Sequence, residues 1–199
     1  MHDMKSPDRK RRTLAAILSP ALLLLFWPGS ILPAQSLPRQ IQVGYWHNWP
    51  AAPNTFRLGA VPAGYDVINV AFATPARPFT GTLRFVPDSR IYSSPQLFRQ
   101  DLAALQAKGR KVLISVGGAN HPIHLDKASD VTAFVNSLAG IVNSYGFDGI
   151  DIDLEGSSLT LKQGDTDFTN PTTPRIVNLI KALQQLRARF PAPFLLTFA

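Results

Sequence analysis

The chain contains no cysteine. Disulfides, thiolate metal sites and cysteine nucleophiles are therefore excluded. Export is not excluded, because a large enough core needs no covalent staples. Glutamate is almost missing as well: Glu155 is the only one in 199 residues. Beyond residue 36 there is no block of Lys and Arg and no aromatic-basic stripe, although the formal net charge is +7. The electrostatic footprint of a nucleic-acid binder is thus absent, and a solvated basic surface is the simpler reading. No Gly-x-Gly-x-x-Gly follows any strand-like run, so a dinucleotide fold has no support. His47, His121 and His124 show no metal-ligand spacing. Neither a metal nor another cofactor is expected.

What is present is enough apolar material for a core, 45% hydrophobic and 10% aromatic. The N-terminus has the layout of an export signal. Lys10-Arg11-Arg12 precedes an apolar run from Leu14 to Trp27, Pro28-Gly29 breaks it, and Ala34-Gln35-Ser36 offers small residues for cleavage. The run is shorter than the roughly 20 residues of a membrane span, and Pro20 interrupts it. Residues 1–36 are expected to be a secretion signal. Residues 37–199 would then be extracellular and free of the membrane.

The remaining chain alternates short apolar runs with helical stretches. Ile41–Trp46, Val67–Phe72, Lys111–Val116, Gly149–Glu155 and Phe194–Phe198 read as five strands. One helix starts at Ser94-Pro95, carries Leu97, Leu102 and Leu105, and stops at Gly109. A second starts near Ser129-Asp130, carries Val131, Phe134, Val135, Leu138, Ile141 and Val142, and stops at Gly146. A third starts at Thr173-Pro174 and carries Ile176, Val177, Ile180, Leu183 and Leu186. Residues 73–93 read as an inserted loop or small hairpin. Such alternation means βαβ units and a parallel sheet, either doubly wound or closed as a barrel.

The fourth run is unusual. Strand alternation puts Asp151, Asp153 and Glu155 on one face and Ile150, Ile152 and Leu154 on the other, with Asp148 at the strand's start. Like charges spaced about 7 Å apart repel each other and lose hydration on burial. A solvated edge strand would tolerate them, but the apolar opposite face and the position midway along a βαβ series argue against an edge. A hard-cation site is the other plain alternative. Conflict between local rules and the fold is expected at a functional site.

Asp148-Gly149-Ile150-Asp151-Ile152-Asp153-Leu154-Glu155 resembles the Asp-x-x-Asp-x-Asp-x-Glu signature of glycoside hydrolase family 18, the chitinases and their relatives. Ser115-Val116-Gly117-Gly118 is similar to the family's Ser-x-Gly-Gly. Gly44-Tyr45-Trp46, Asn69-Val70-Ala71-Phe72 and Leu195–Ala199 resemble the ends of its first, second and fifth strands. The resemblance spans residues 41–199 and implies a (β/α)8 TIM barrel, truncated here after the fifth strand. It also implies retaining, substrate-assisted hydrolysis of β-1,4-linked N-acetylglucosamine polymers, with Glu155 as general acid and base. Asp153 would orient the substrate's acetamido group, and Asp151 would share a proton with Asp153. Crowding among like charges would favour the protonated acid. Tyr45 and Ser115 would donate to Asp151. Gly117 and Gly118 would allow close approach, and Trp46 and Trp49 would stack on sugar rings. Asp148 and Phe72 complete the supporting set. The family's later tyrosine and tryptophan, after the sixth strand and on the eighth, lie beyond these residues. The chain is therefore expected to be an N-terminal portion, inactive alone and monomeric when complete. The alternatives are an endo-β-N-acetylglucosaminidase acting on N-glycans and a chitin-binding lectin of the same fold. The presence of Glu155 weighs against the lectin.

Overall fold

The structure is a computed structural model and describes residues 37–53 and 55–199. The signal expected over residues 1–36 lies outside the described residues. The elements run β1 (Val43–His47), β2 (Val67–Pro75), β3 (Leu83–Arg84), α1 (Pro95–Gln106), β4 (Lys111–Gly117), α2 (Ala128–Tyr145), β5 (Gly149–Asp153), α3 (Pro174–Arg189) and β6 (Leu195–Phe198). One-turn helices at Leu58–Ala60 and Gly156–Leu159 fill two loops. The expected third, fourth and fifth strands are thus β4, β5 and β6.

The sheet order is β1-β2-β4-β5-β6, and every one of these pairings is parallel. The short β3 folds back antiparallel on Thr74 and Pro75, so the inserted segment contains a hairpin. Parallel strands joined by helices give the βαβ series read from the periodicity. The series has the layout of part of a (β/α)8 barrel.

The two faces of the sheet differ in chemistry. Trp46, Ile68, Val70, Val112, Ile114, Val116, Ile150 and Ile152 are buried with the helices in one core cluster. Tyr45, Asn69, Ser115, Asp151 and Thr197 have the opposite parity, and the register sets Ser115 beside Asp151 and Asp151 beside Thr197. A strict period of two turns an alternating sequence into an apolar outer face and a polar inner one.

Helix ends follow their local signals in part. The Ser94 hydroxyl accepts from the Leu97 amide at 3.4 Å, and α2 ends on Gly146 at φ 79°. The six apolar residues read as the stripe of α2 are all buried. On α1 the deepest residue is Phe98 rather than Leu97. Its ring lies 5.4 Å from Tyr92, 5.5 Å from Phe85, 5.5 Å from Tyr145 and 6.1 Å from Trp46. On α3 the buried line is Leu179, Ala182 and Leu186, while Ile180 is 39% exposed. The expected α3 stripe is therefore rotated by about one residue. Thr173 does not cap α3 with its own oxygen. Its hydroxyl donates to Asp165, and that carboxylate also accepts the Thr173 amide at 2.6 Å and the Thr172 amide at 3.1 Å.

Phe98 is fully buried in this aromatic cluster. Replacing it with alanine is expected to lower unfolding free energy by roughly 3–5 kcal/mol. Urea denaturation followed by near-UV circular dichroism measures this. A loss near zero would mean that the cluster does not anchor α1.

Candidate active site

Parallel strands present all their C-terminal ends on one side of a sheet, and in barrels that side carries the chemistry. Tyr45, Ser115, Asp151, Asp153 and Thr197 lie there on four strands, and Glu155 follows directly after β5.

Asp151 is the centre of the arrangement and is only 1% exposed. A buried carboxylate is tolerated when hydrogen bonds replace its water. Tyr45 donates its hydroxyl to Asp151 Oδ2 at 2.7 Å, and Ser115 donates to the same oxygen at 2.8 Å. Thr197 donates to Oδ1 at 2.6 Å. Three hydroxyls from β1, β4 and β6 therefore converge on one side chain of β5. Burial, then the bond to Asp151, pushes the Tyr45 phenol up to about 12, so it stays a donor at neutral pH. With both oxygens engaged by hydroxyls, Asp151 is poorly placed to ligate a hard cation.

Asp153 sits two residues nearer the open end. Its proton is held more tightly than in an ordinary aspartate, first because of burial, then because of the neighbouring charges of Glu155 and Asp151. Glu155 lies beyond the last paired residue, on extended backbone at φ −127° and ψ 164°. Alternation continues past the ladder, so Leu154 is buried and Glu155 is exposed. The three acids thus grade outward from a buried carboxyl held by three hydroxyls, through a half-buried one whose proton is held more tightly than usual, to an exposed one.

The glycines have close-packing roles. Gly117 has φ 114°, and a Cβ there would lie 2.3 Å from the Asp153 carbonyl oxygen. Gly118 has φ 80°, and a Cβ there would lie 2.7 Å from the Phe72 ring. Both positions require glycine on space and on backbone conformation. Phe72 occupies the register slip between Ala71 and Ala73, with its ring 6.3 Å from Tyr45 and 6.0 Å from Trp49.

Two of the expected supporting residues are elsewhere. Trp46 is 3% exposed and cannot stack on a sugar. It follows Tyr45 on the strand, so it faces the helices, where its Nε1 donates to the Phe56 carbonyl at 3.0 Å. Asp148 is at the opposite end of β5. It accepts the Val112 amide and the Gln106 side-chain amide, each at 2.9 Å, and Lys111 Nζ lies 3.7 Å away. It ties the sheet's far end together and does not reach the acids.

Trp49 is 39% exposed and stacks on His47 at 4.6 Å. With Phe72, Asn48, Arg84, Asp88 and His121 it lines a groove of about 560 Å³. Thr197 is the residue that the sequence reading missed. Its signal was a lone hydroxyl at inward parity in Leu195-Leu196-Thr197-Phe198. Asn69 is 2% exposed on the inner face, and its Oδ1 has no hydrogen-bond partner among the described residues.

The acids thus stand at the C-terminal, chemistry-bearing ends of the strands of a parallel β/α sheet. Residues 41–199 match the family described as Glycosyl hydrolases family 18, and the chain belongs to that family. It is 49% identical over 157 residues to Chitinase Chi52 of Paenibacillus xylanexedens, which covers 79% of this chain and 29% of that protein. It is 50% identical over 158 residues to Chitinase D of Niallia circulans, covering 79% of this chain and 30% of the relative. The chain thus spans about a third or less of the length of these relatives. Among solved structures, a GH18 chitinase from Chromobacterium violaceum superposes with a TM-score of 0.68 at 42% identity, over 79% of this chain and 39% of that one.

The raised proton affinity of Asp153 has a definite sign. The folded chain binds this proton when the unfolded chain has released it, so stability falls as pH rises from the ordinary aspartate range through the raised folded value. Asp153→Asn is therefore expected to raise the thermal midpoint at neutral pH. The gain should fade below the ordinary aspartate value of about 3.9. Melting curves at both pH values test this, and a gain of equal size at both would exclude the electrostatic cause.

Proposed function

We propose that residues 41–199 carry the acid–base part of a retaining glycosidase site for β-1,4-linked N-acetylglucosamine polymers. The observation that carries this reading is the grading of Asp151, Asp153 and Glu155, with three hydroxyls fixing the innermost acid. The names of the two relatives, both chitinases, support chitin as the polymer.

In this mechanism Glu155 gives its proton to the glycosidic oxygen as that bond breaks. The carbonyl oxygen of the substrate's own N-acetyl group attacks the anomeric carbon, and a cyclic oxazolinium forms. No protein nucleophile is needed, which is the substrate-assisted exception to the two-carboxylate scheme. Asp153 accepts the acetamido N–H and offsets the positive charge that develops. The tightly held proton of Asp153 limits the charge that builds up beside Asp151. Glu155, now ionised, takes a proton from water as it opens the ring, and two inversions give retention. Trp49 and Phe72 supply apolar faces in a groove next to Tyr45, and the polar groups of that groove suit sugar hydroxyls.

The described residues leave the inner face open. Tyr45 is 43% and Val43 46% exposed, and among the described residues β1 and β6 each pair on one edge alone. A site open on one side neither excludes water nor grips a sugar ring. The chain by itself is accordingly proposed to be inactive, and a fuller barrel to be the active form. The basic and apolar segment at residues 10–36 supports export, which suits a polymer too large to enter a cell.

Two assays test the reading. The chain alone should hydrolyse a chromogenic chitotrioside at background rate. Residues 41–199 grafted into the Chromobacterium violaceum barrel should restore turnover, and Glu155→Gln in that chimera should lower kcat roughly 100- to 10,000-fold. Turnover by the isolated chain that vanishes in its Glu155→Gln variant would refute inactivity. A chimera indifferent to that substitution would remove Glu155 from the mechanism.

A further inference from the structure

Among the described residues no hydrogen bond reaches the Glu155 carboxyl, and its residue is exposed. Its direction is therefore set by the backbone that carries it. Toward the N-terminus that backbone is the β5 ladder, and the Gly118 amide reaches the Asp153 carbonyl at 2.8 Å. Toward the C-terminus it is the one-turn helix Gly156–Leu159, entered through Gly156 at φ 53°.

That turn is fastened from two other segments. The buried Ser158 hydroxyl accepts the Ile123 amide at 3.0 Å. The Ser157 hydroxyl meets His124 Nε2 at 3.1 Å. The Ser157 carbonyl accepts Arg175 Nη1. The same guanidinium forks onto Asp126, Nε at 2.8 Å and Nη2 at 3.0 Å. Arg175 stands in the first turn of α3, whose start is held by Asp165. The β4–α2 loop, the turn after the acid and the start of α3 thus meet at one guanidinium.

Ser157, His124 and Asp126 have the order of a nucleophile triad, but the geometry is a fastening. Asp126 Oδ2 lies 3.9 Å from His124 Nδ1, and both its oxygens are taken by Arg175. A planar bidentate fork fixes direction as well as distance, which a lysine does not.

We propose that Arg175, with Asp126 and His124, is a positioning clamp for Glu155, fixing the Gly156–Ser158 turn and hence the line along which the acid points. Its value to catalysis rests on the reading of Glu155 as proton donor; the clamp itself does not. The titratable groups on the segments that meet at the turn are Asp151 and Asp153 on β5, Asp126 and His124 from the β4–α2 loop, and Arg175 from α3.

Because Glu155 is the only glutamate, uniform 13C-glutamate labelling of the chain gives one carboxyl resonance to follow through a pH titration. Arg175→Gln should change the chemical shift of this resonance at fixed pH and broaden the line. Arg175→Lys keeps the charge and loses the fork, and should also depart from wild type. Arg57→Gln removes a similar fork on Asp101 elsewhere and should leave the resonance unchanged. An unchanged Glu155 resonance in Arg175→Gln with a folded amide spectrum overturns the clamp, and so does an Arg175→Lys trace identical to wild type. Should Arg175→Gln not fold, Asp126→Asn breaks the same fork at its exposed partner, and no change there overturns the proposal. In the chimera, Arg175→Gln should lower kcat about tenfold or more and leave KM within about twofold, as expected for lost orientation. The resonance needs no turnover, so an inactive chimera with the clamp signature would sink the chitinase reading and keep the clamp.

Discussion

The whole site hangs on one buried carboxyl group. Asp151 lies on the inner face of a parallel sheet, where a carboxylate without partners would be expelled or protonated. Three hydroxyls from three other strands hold it there. Because Tyr45, Ser115 and Thr197 sit on β1, β4 and β6, the carboxyl group can be satisfied only when those strands are in register. The same bonds that make its burial tolerable thus specify how the strands align. The outer two acids then take their properties from it. Asp153 feels both burial and its neighbours' charges, and Glu155 is left free at the rim.

The inner and outer faces divide their tasks by parity. One step along β1 separates Tyr45, bonded to Asp151, from Trp46, packed against Phe98. The same step on β4 separates Ser115 from Ile114 and Val116, and on β5 Asp151 from Ile150 and Ile152. Core packing and chemistry therefore share every strand without sharing a residue. Gly117 and Gly118 carry the division through the end of β4, where any side chain would collide with the Asp153 carbonyl or the Phe72 ring.

Much of this was legible in the sequence because it is local. Strand and helix order, the parallel sheet, the α2 stripe and the acidic triad all follow from periods of two and 3.6. Parity alone would have turned Trp46 away from the sugars once Tyr45 was set inward. Other features needed partners distant in the chain. Phe98 outranks Leu97 because Phe85, Tyr92 and Tyr145 enclose it. Ile180 is exposed because the described core meets α3 along Leu179, Ala182 and Leu186. Thr197 acquires its role only through the β5–β6 register, and Arg175 only through a loop 49 residues earlier. No spacing rule links those positions.

Asp148 gives the acidic octapeptide a second life. It sits at the closed end of β5, bonded to the Val112 amide and Gln106 and near Lys111. In a fuller barrel that carried out the proposed hydrolysis, genetic screens scoring that reaction would group Asp148 with Asp151, Asp153 and Glu155. The causes would differ. Damage at Asp148 loosens the seam between β4, β5 and the end of α1, so its phenotype would be thermosensitive and low in abundance. Damage at Glu155 would leave a full yield of cold, well-folded, silent protein. One short run of residues therefore encodes two separable kinds of failure.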